Sequence, residues 1–202
     1  MAVDVEIDVE VLKSEIKKTY ASVSTEPEKD FIFPTGRGRA WAEDLGYPEE
    51  LANVPEAAVE SFAGVANPWA MGRLTPGERV LDLGSGAGTD SLIAARMVGE
   101  QGHVSGIDMT QEMLAKARAT AAEMGATNVD FLEGEAERLP FADASFDVVI
   151  SNRVIDLVPD KDAVFTELFR VLAPGGRIQV ADVTIQNPVS AEGRRNIDLW
   201  TG

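Results

Sequence analysis

Three glycines spaced two apart, Gly84, Gly86 and Gly88, follow the short apolar run Val80-Leu81-Asp82-Leu83. An apolar stretch at helical spacing, with Leu92, Ile93 and Met97, comes next. That order reads as strand, tight turn and helix. Glycines at such a turn supply φ angles other residues avoid, and let the backbone come close to a bound group. The first N–H groups of the helix can then face a ligand. A dinucleotide turn wants G-x-G-x-x-G, and here Thr89 stands where that pattern has its last glycine. Asp82 would repel a pyrophosphate and suits a cationic amino group. About twenty residues beyond the turn, where an acidic residue can hold a ribose, stands Asp108. Its carboxylate can accept from both ribose hydroxyls, or cap the helix that starts at Thr110. A ribose contact alone does not separate one adenosine cofactor from another.

The surrounding elements alternate. Strands are expected over 80–83, 103–107, 129–132, 146–151 and 177–183, with helices over 89–98, 110–124 and 160–172 between them. Thr110 is an N-cap type and Gly125 a helix stop. Pro174-Gly175-Gly176 should end the third helix. Strands alternating with helices imply an α/β fold, a doubly wound parallel Rossmann-like sheet. Its ligand crevice lies at the carboxyl ends of the strands, at the topological switch point. Residues 1–75 differ from the core at 76–202. Val9, Leu12, Ile16 and Tyr20 recur at helical spacing. Pro48 and Pro55 suit the first positions of two short helices, the second running to Gly64. Phe31-Ile32-Phe33 is an apolar anchor in an irregular stretch with Pro34 and Gly36, and Arg37 with Arg39 is a basic spot read as a solvated loop. This region is expected to be a helical cap over the core.

The 202 residues carry 18 Lys plus Arg against 34 Asp plus Glu, a net charge of −16. Nucleic acids and anionic membrane surfaces are bound through cations, so neither partner is expected. There is no cysteine, hence no thiolate metal site and no thiol nucleophile. No metal site is read. His103, the single histidine, starts a strand and reads as structural. The acidic N-terminus is not a signal peptide and no apolar run reaches spanning length, so the cytoplasm is the expected location.

With these residues in place, the segment from Asp82 to Gly88 resembles motif I of the class I S-adenosylmethionine (SAM)-dependent methyltransferases. Gly134-Glu135-Ala136 with Leu139-Pro140-Phe141, the run 146–152 and Leu172-Ala173-Pro174-Gly175-Gly176 resemble further blocks of that family, in its order. The resemblance covers roughly residues 75–200. It implies SAM as cofactor and contacts to it from Asp82, Gly84, Ser85, Gly86 and Gly88. Asp108 and Met109 would lie at the ribose, Glu135 and Ala136 at the adenine, and Ser151 and Asn152 at the methionine part. The segments 151–161 and 198–202 are similar to the arsenite methyltransferase group, and that likeness adds Tyr20 and Asn67 as cofactor contacts. That group holds arsenic through thiolates. Arg153 stands at one such position, and this chain offers no cysteine anywhere.

The implied reaction is methyl transfer to a small-molecule acceptor. No catalytic residue is assigned; Arg153 and Asp156 lie near the expected site but read equally as surface residues. The rival readings are a SAM-binding domain with weak or no turnover, and a nicotinamide oxidoreductase. Members of the resembled class usually have seven strands. Five are read here, so the core is expected to be C-terminally incomplete, with strand five an open edge that invites a homodimer or a cover from within the chain.

Overall fold

The computed structural model describes residues 8–31, 33 and 38–201. Expectations resting on the first seven residues, Ile32, Pro34, Gly36, Arg37 and Gly202 lie outside the described residues. The described chain forms five strands and eight α-helices. These are β1 (Arg79–Leu83), β2 (His103–Asp108), β3 (Val129–Glu133), β4 (Phe146–Asn152) and β5 (Leu172–Ala181). The long helices are α1 (Val9–Thr25), α4 (Thr89–Val98), α5 (Gln111–Met124) and α6 (Lys161–Val171). Short ones are α2 (Gly38–Asp44) and α3 (Glu56–Val59) in the N-terminal part, and α7 (Ala191–Arg195) and α8 (Ile197–Thr201) at the end.

All strand pairs are parallel and the sheet order is β3-β2-β1-β4-β5. The order reverses between β1 and β4, so their carboxyl ends flank the crevice of such a sheet. A parallel strand covered on both faces needs an unbroken apolar run, and Val80, Leu81 and Leu83 are buried in two different clusters. On one face Val80, Val104, Val148 and Ile150 pack with Leu92 and Ile93 of α4 and Leu114 of α5. Val54, Val59, Phe62 and Trp69 from the N-terminal part belong to that same cluster. The other face holds Leu81, Leu83, Ile107 and Val149 against Val164, Leu168 and Val171 of α6.

Several local expectations change. Pro48 and Pro55 stand one position earlier than expected, as N-caps of a 3₁₀ turn (Glu49–Asn53) and of α3. The helix α3 stops at Val59 rather than Gly64. Thr110 is the N-cap of α5, but its side chain makes no capping bond. Asp108 instead accepts the N–H of Thr110 itself at 2.8 Å, just ahead of the helix. Pro174-Gly175-Gly176 does not separate helix from strand. The strand β5 begins at Leu172, directly after α6, and the register shifts between Phe146↔Leu172 and Val148↔Arg177. The extra residues bulge out because proline cannot donate to the ladder. Arg39 is no solvated residue. Its guanidinium donates to the Leu51 and Val54 carbonyls at 2.6 and 2.8 Å, pinning α2 to the turn after it.

The N-terminal part is tied to the core by polar as well as apolar contacts. Ser24 of α1 donates to the Glu112 carbonyl of α5, and Ser61 donates to the Val23 carbonyl. Among the described residues no helix is long and apolar enough to cross a membrane. At the sheet edge, Ile178 of β5 is 38% exposed, Phe169 of α6 is 85% exposed, and Ile185 beyond the strand is 63% exposed. An unpaired edge flanked by apolar side chains templates pairing with another chain. We propose that β5 either pairs with a second copy, read as twice the monomer mass by light scattering at tens of micromolar, or is covered from within the chain. A strict monomer whose β5 amides exchange slowly would instead show the edge covered from within the chain.

Candidate functional site

A cavity opens at the carboxyl ends of β1, β2 and β4, under α1. The strand ends supply Asp82 and Leu83, Asp108 with Met109, and Asn152 with Arg153. The turn after β1 supplies Gly84, Ser85, Gly86 and Ala87; Glu135 and Ala136 follow β3; Tyr20 and Lys13 come from α1.

The turn takes its shape from its glycines. Gly84, Gly86 and Gly88 have φ of +71°, +51° and +90°, a region that side chains disfavour. The Gly84 and Ser85 N–H groups both donate to the Ile107 carbonyl, at 2.8 and 2.9 Å, and hang the turn on β2. A Cβ at Gly84 would lie 2.1 Å from Val154 Cγ2, so this glycine is required by packing. A Cβ at Gly86 would meet only Met113 Sδ, at 4.0 Å, and would otherwise enter open space. Gly86 thus leaves a cradle in the cavity wall that a side chain would fill.

Asp108 is held from two sides. Its Oδ2 accepts the Gly86 N–H at 2.9 Å while its Oδ1 accepts from Thr110. Burial pushes its pKa up, and the backbone N–H groups pull the other way. A carboxylate so fixed, with lone pairs left over, can accept from a vicinal diol. Its two sequence readings, ribose acceptor and helix cap, are compatible because each oxygen has more than one acceptor position. Asp82 is buried and accepts from Ser91 Oγ at 2.5 Å. Desolvation and the neighbouring Asp90 push its pKa up.

Glu135 is partnered within the chain. Lys13 Nζ lies 2.7 Å from it and 3.2 Å from Glu137, and this ammonium holds the Glu135 carboxyl below its usual range. The pair clamps α1 over the turn after β3. Tyr20, also on α1, buries a hydroxyl that has no hydrogen-bond partner, as does Ser85. Burial raises the Tyr20 pKa, so its hydroxyl stays a neutral donor.

Three expected contacts do not line the cavity: Asn67, Gly88 and Ser151. Asn67 caps a 3₁₀ turn (Pro68–Met71) by accepting from the Trp69 N–H at 2.9 Å, and donates to the Gly46 carbonyl at 2.6 Å. Its amide is occupied by local structure. Gly88 is the N-cap of α4, and a Cβ there would lie 3.0 Å from Phe131 Cζ. Ser151 is buried below the strand end. Asn152 does reach the cavity, yet its amide bonds to the chain itself, including the Val65 N–H and Tyr47 Oη. His103 pairs with Asp130 at the outer surface.

Arg153 and Asp156 are not surface residues. Arg153 is 5% exposed, has φ +60°, and its guanidinium carbon lies 4.0 Å from the centre of the Phe33 ring. A non-glycine in this region is strained, a condition that collects at functional sites. Asp156 is half-buried, and desolvation together with Asp182 raises its pKa. Sequence reasoning missed Asp90 and Lys13. Asp90 left one faint signal: an acidic residue in the first turn of a helix that is apolar almost all round. Lys13 left none, because its partners lie 122 positions away and beyond.

The donor set fits a cationic nucleoside. Two buried carboxylates at Asp82 and Asp90, the half-buried Asp108, two partnerless hydroxyls and the Gly86 cradle suit a ligand with a diol and a positive charge. The same carboxylates would repel a pyrophosphate. Among the described residues, no group of three histidine or acidic side chains could hold a metal ion.

A family model described as a methyltransferase domain matches residues 74–200. An arsenite methyltransferase from Halobacterium salinarum is 47% identical over 162 residues, covering 80% of this chain and 41% of that protein. A ubiquinone/menaquinone biosynthesis C-methyltransferase, UbiE, from Vibrio campbellii is 42% identical over 118 residues, covering 57% of this chain and 46% of that one. The crystal structure of an arsenic(III) SAM methyltransferase from Chlamydomonas reinhardtii superimposes with a TM-score of 0.66 at 42% identity, over 71% of this chain and 50% of its own. The chain thus spans less than half the length of the curated relatives it matches.

Removing the Asp108 carboxylate should cost about 1.5–3 kcal/mol of SAM affinity, the range for a hydrogen bond to a charged group. Calorimetric titration of Asp108→Ala checks this; affinity equal to the parent's would remove the ribose assignment. Gly86→Val should abolish binding in the same titration by filling the cradle.

Proposed function

The chain belongs to the class I SAM-dependent methyltransferase family, and from that premise we propose that it transfers a methyl group to a small-molecule acceptor. The observation that carries this reading is the carboxylate-lined cavity at the β1–β4 switch point with the Gly86 cradle in its wall. Asp108 would receive the ribose hydroxyls and Asp82 the cationic end of the cofactor. Glu135 and Ala136 would border the adenine. When bound, SAM supplies an electrophilic methyl group on a sulfonium, already activated.

The protein's own task is then positioning and exclusion of water. Aligning two reactants can contribute effective molarities on the order of 10⁵ M or more. The N-terminal part supports this: α1 closes one side of the cavity and is locked there by Lys13 with Glu135 and Glu137. No general base is assigned, since one is required only where the acceptor arrives protonated.

The acceptor we propose is not trivalent arsenic, although relatives carry that name. A soft metalloid calls for thiolate ligands, and this chain has no cysteine. Arg153, whose guanidinium offers no soft donor atom, lines the cavity. Incubation with SAM and a panel of small acceptors should release S-adenosylhomocysteine. NAD should not bind, and SAM binding without release for any acceptor would favour a binding domain. Arsenite with added thiol should give no enzyme-dependent methylation; robust turnover of it by this chain would refute the acceptor reading.

A further inference from the structure

Asp90 stands at the start of α4, 7% exposed, and lines the cavity. Its two oxygens differ. Oδ2 accepts from Tyr47 Oη and from Asn152 Nδ2, each at 3.2 Å. Oδ1 is buried with no hydrogen-bond partner. The neighbouring carboxylate Asp82 is buried as well, and its bond to Ser91 is to a neutral hydroxyl. Two buried carboxylates without a cation between them are costly, because desolvation and mutual repulsion both oppose ionisation. Both effects raise the pKa of Asp82, and desolvation raises that of Asp90. A positively charged ligand group bound beside this pair would relieve both.

The other oxygen leads into the N-terminal part. Asn152 donates to Tyr47 Oη at 2.8 Å and to the Ala66 carbonyl at 3.0 Å, and accepts from the Val65 N–H at 3.0 Å. Tyr47 packs edge-on against Phe62, which itself lines the cavity. Asp90 therefore lines the cavity with one oxygen left unpartnered, and is tied to residues 47–66 through the other.

We propose that Asp90 joins Asp82 in receiving the ammonium group of the cofactor, and that through Tyr47 and Asn152 it couples that charge to the N-terminal cap. This rests on the reading of the cavity as a SAM site. It makes Asp90 a cofactor ligand that Asn152 positions, which explains why the Asn152 amide is turned toward the chain.

The test uses D90N, which keeps an acceptor for Tyr47 and Asn152 while removing the charge. Two probes are titrated calorimetrically: S-adenosylhomocysteine, which carries the ammonium, and 5′-methylthioadenosine, which has the same nucleoside without the amino-acid part. D90N should weaken S-adenosylhomocysteine at least tenfold and leave methylthioadenosine unchanged. In the parent, S-adenosylhomocysteine should slow amide exchange at Val65, and in D90N that slowing should be lost. Unliganded D90N should melt above the parent, since one of two repelling carboxylates is gone. Equal losses for both probes, no loss for either, or a lowered melting point would overturn the proposal. A parent protein that binds neither probe would overturn the SAM-site reading itself.

Discussion

The arrangement depends on a steric constraint at one turn. The strand β1 lies in the middle of the sheet and is covered on both faces, so it can meet a ligand only at its end. There the chain must reverse within a few residues to start α4. Gly84 has no room for a side chain because Val154, just after β4, occupies the space. The turn and the end of β4 are thereby packed against each other. That contact sets where Asp82, Gly86 and Asn152 stand relative to one another.

Electrostatics then shape what the crevice accepts. Asp82, Asp90 and Asp108 come from the end of β1, the start of α4 and the end of β2; the first two are buried and the third is half-buried. Buried carboxylates hold together without a metal or a cationic side chain only where hydrogen bonds or a ligand compensate them. Backbone N–H groups do this for Asp108; for Asp82 and Asp90 the compensation is incomplete. The same environment disfavours an anionic phosphate chain. Specificity for a cationic nucleoside thus follows from desolvation as much as from shape.

The N-terminal part contributes walls rather than a second core. Its apolar residues share one cluster with the sheet face, and its polar links go to Asp90, Asn152, Glu135 and Glu112. A segment fixed at so many points of the cavity's rim can exclude water from a transfer reaction without supplying an acid or base. Relatives acting on arsenic carry the same fold, so a fold-level likeness does not choose the acceptor. In this chain the cavity wall holds Arg153 over the Phe33 ring.

The alternating strands and helices, the glycine turn and the two carboxylates at its flanks were legible in the sequence, because each rests on local chemistry. Parallel strands read as apolar runs, glycines mark positive φ, and spacing places Asp108 opposite Gly86. The edge position of β5 followed from the strand count. What tertiary structure decided was the fate of side chains whose partners are far along the chain. Asn67 reads as a contact by likeness and turned out to cap its own turn. Asn152 reads as bordering the methionine part of the cofactor; it reaches the cavity, and its amide is also bonded to Tyr47, 105 positions earlier. Arg153 and Asp156 could not be told from surface residues until their neighbours were in place. Asp90 left only a faint signal, an acidic residue in an otherwise apolar helix, and it is the packing of residues 47–66 against α4 that buries it and leaves one oxygen unpartnered. Hydrogen-bond satisfaction is a property of three-dimensional neighbourhoods, and sequence spacing reports it only when donor and acceptor are close along the chain.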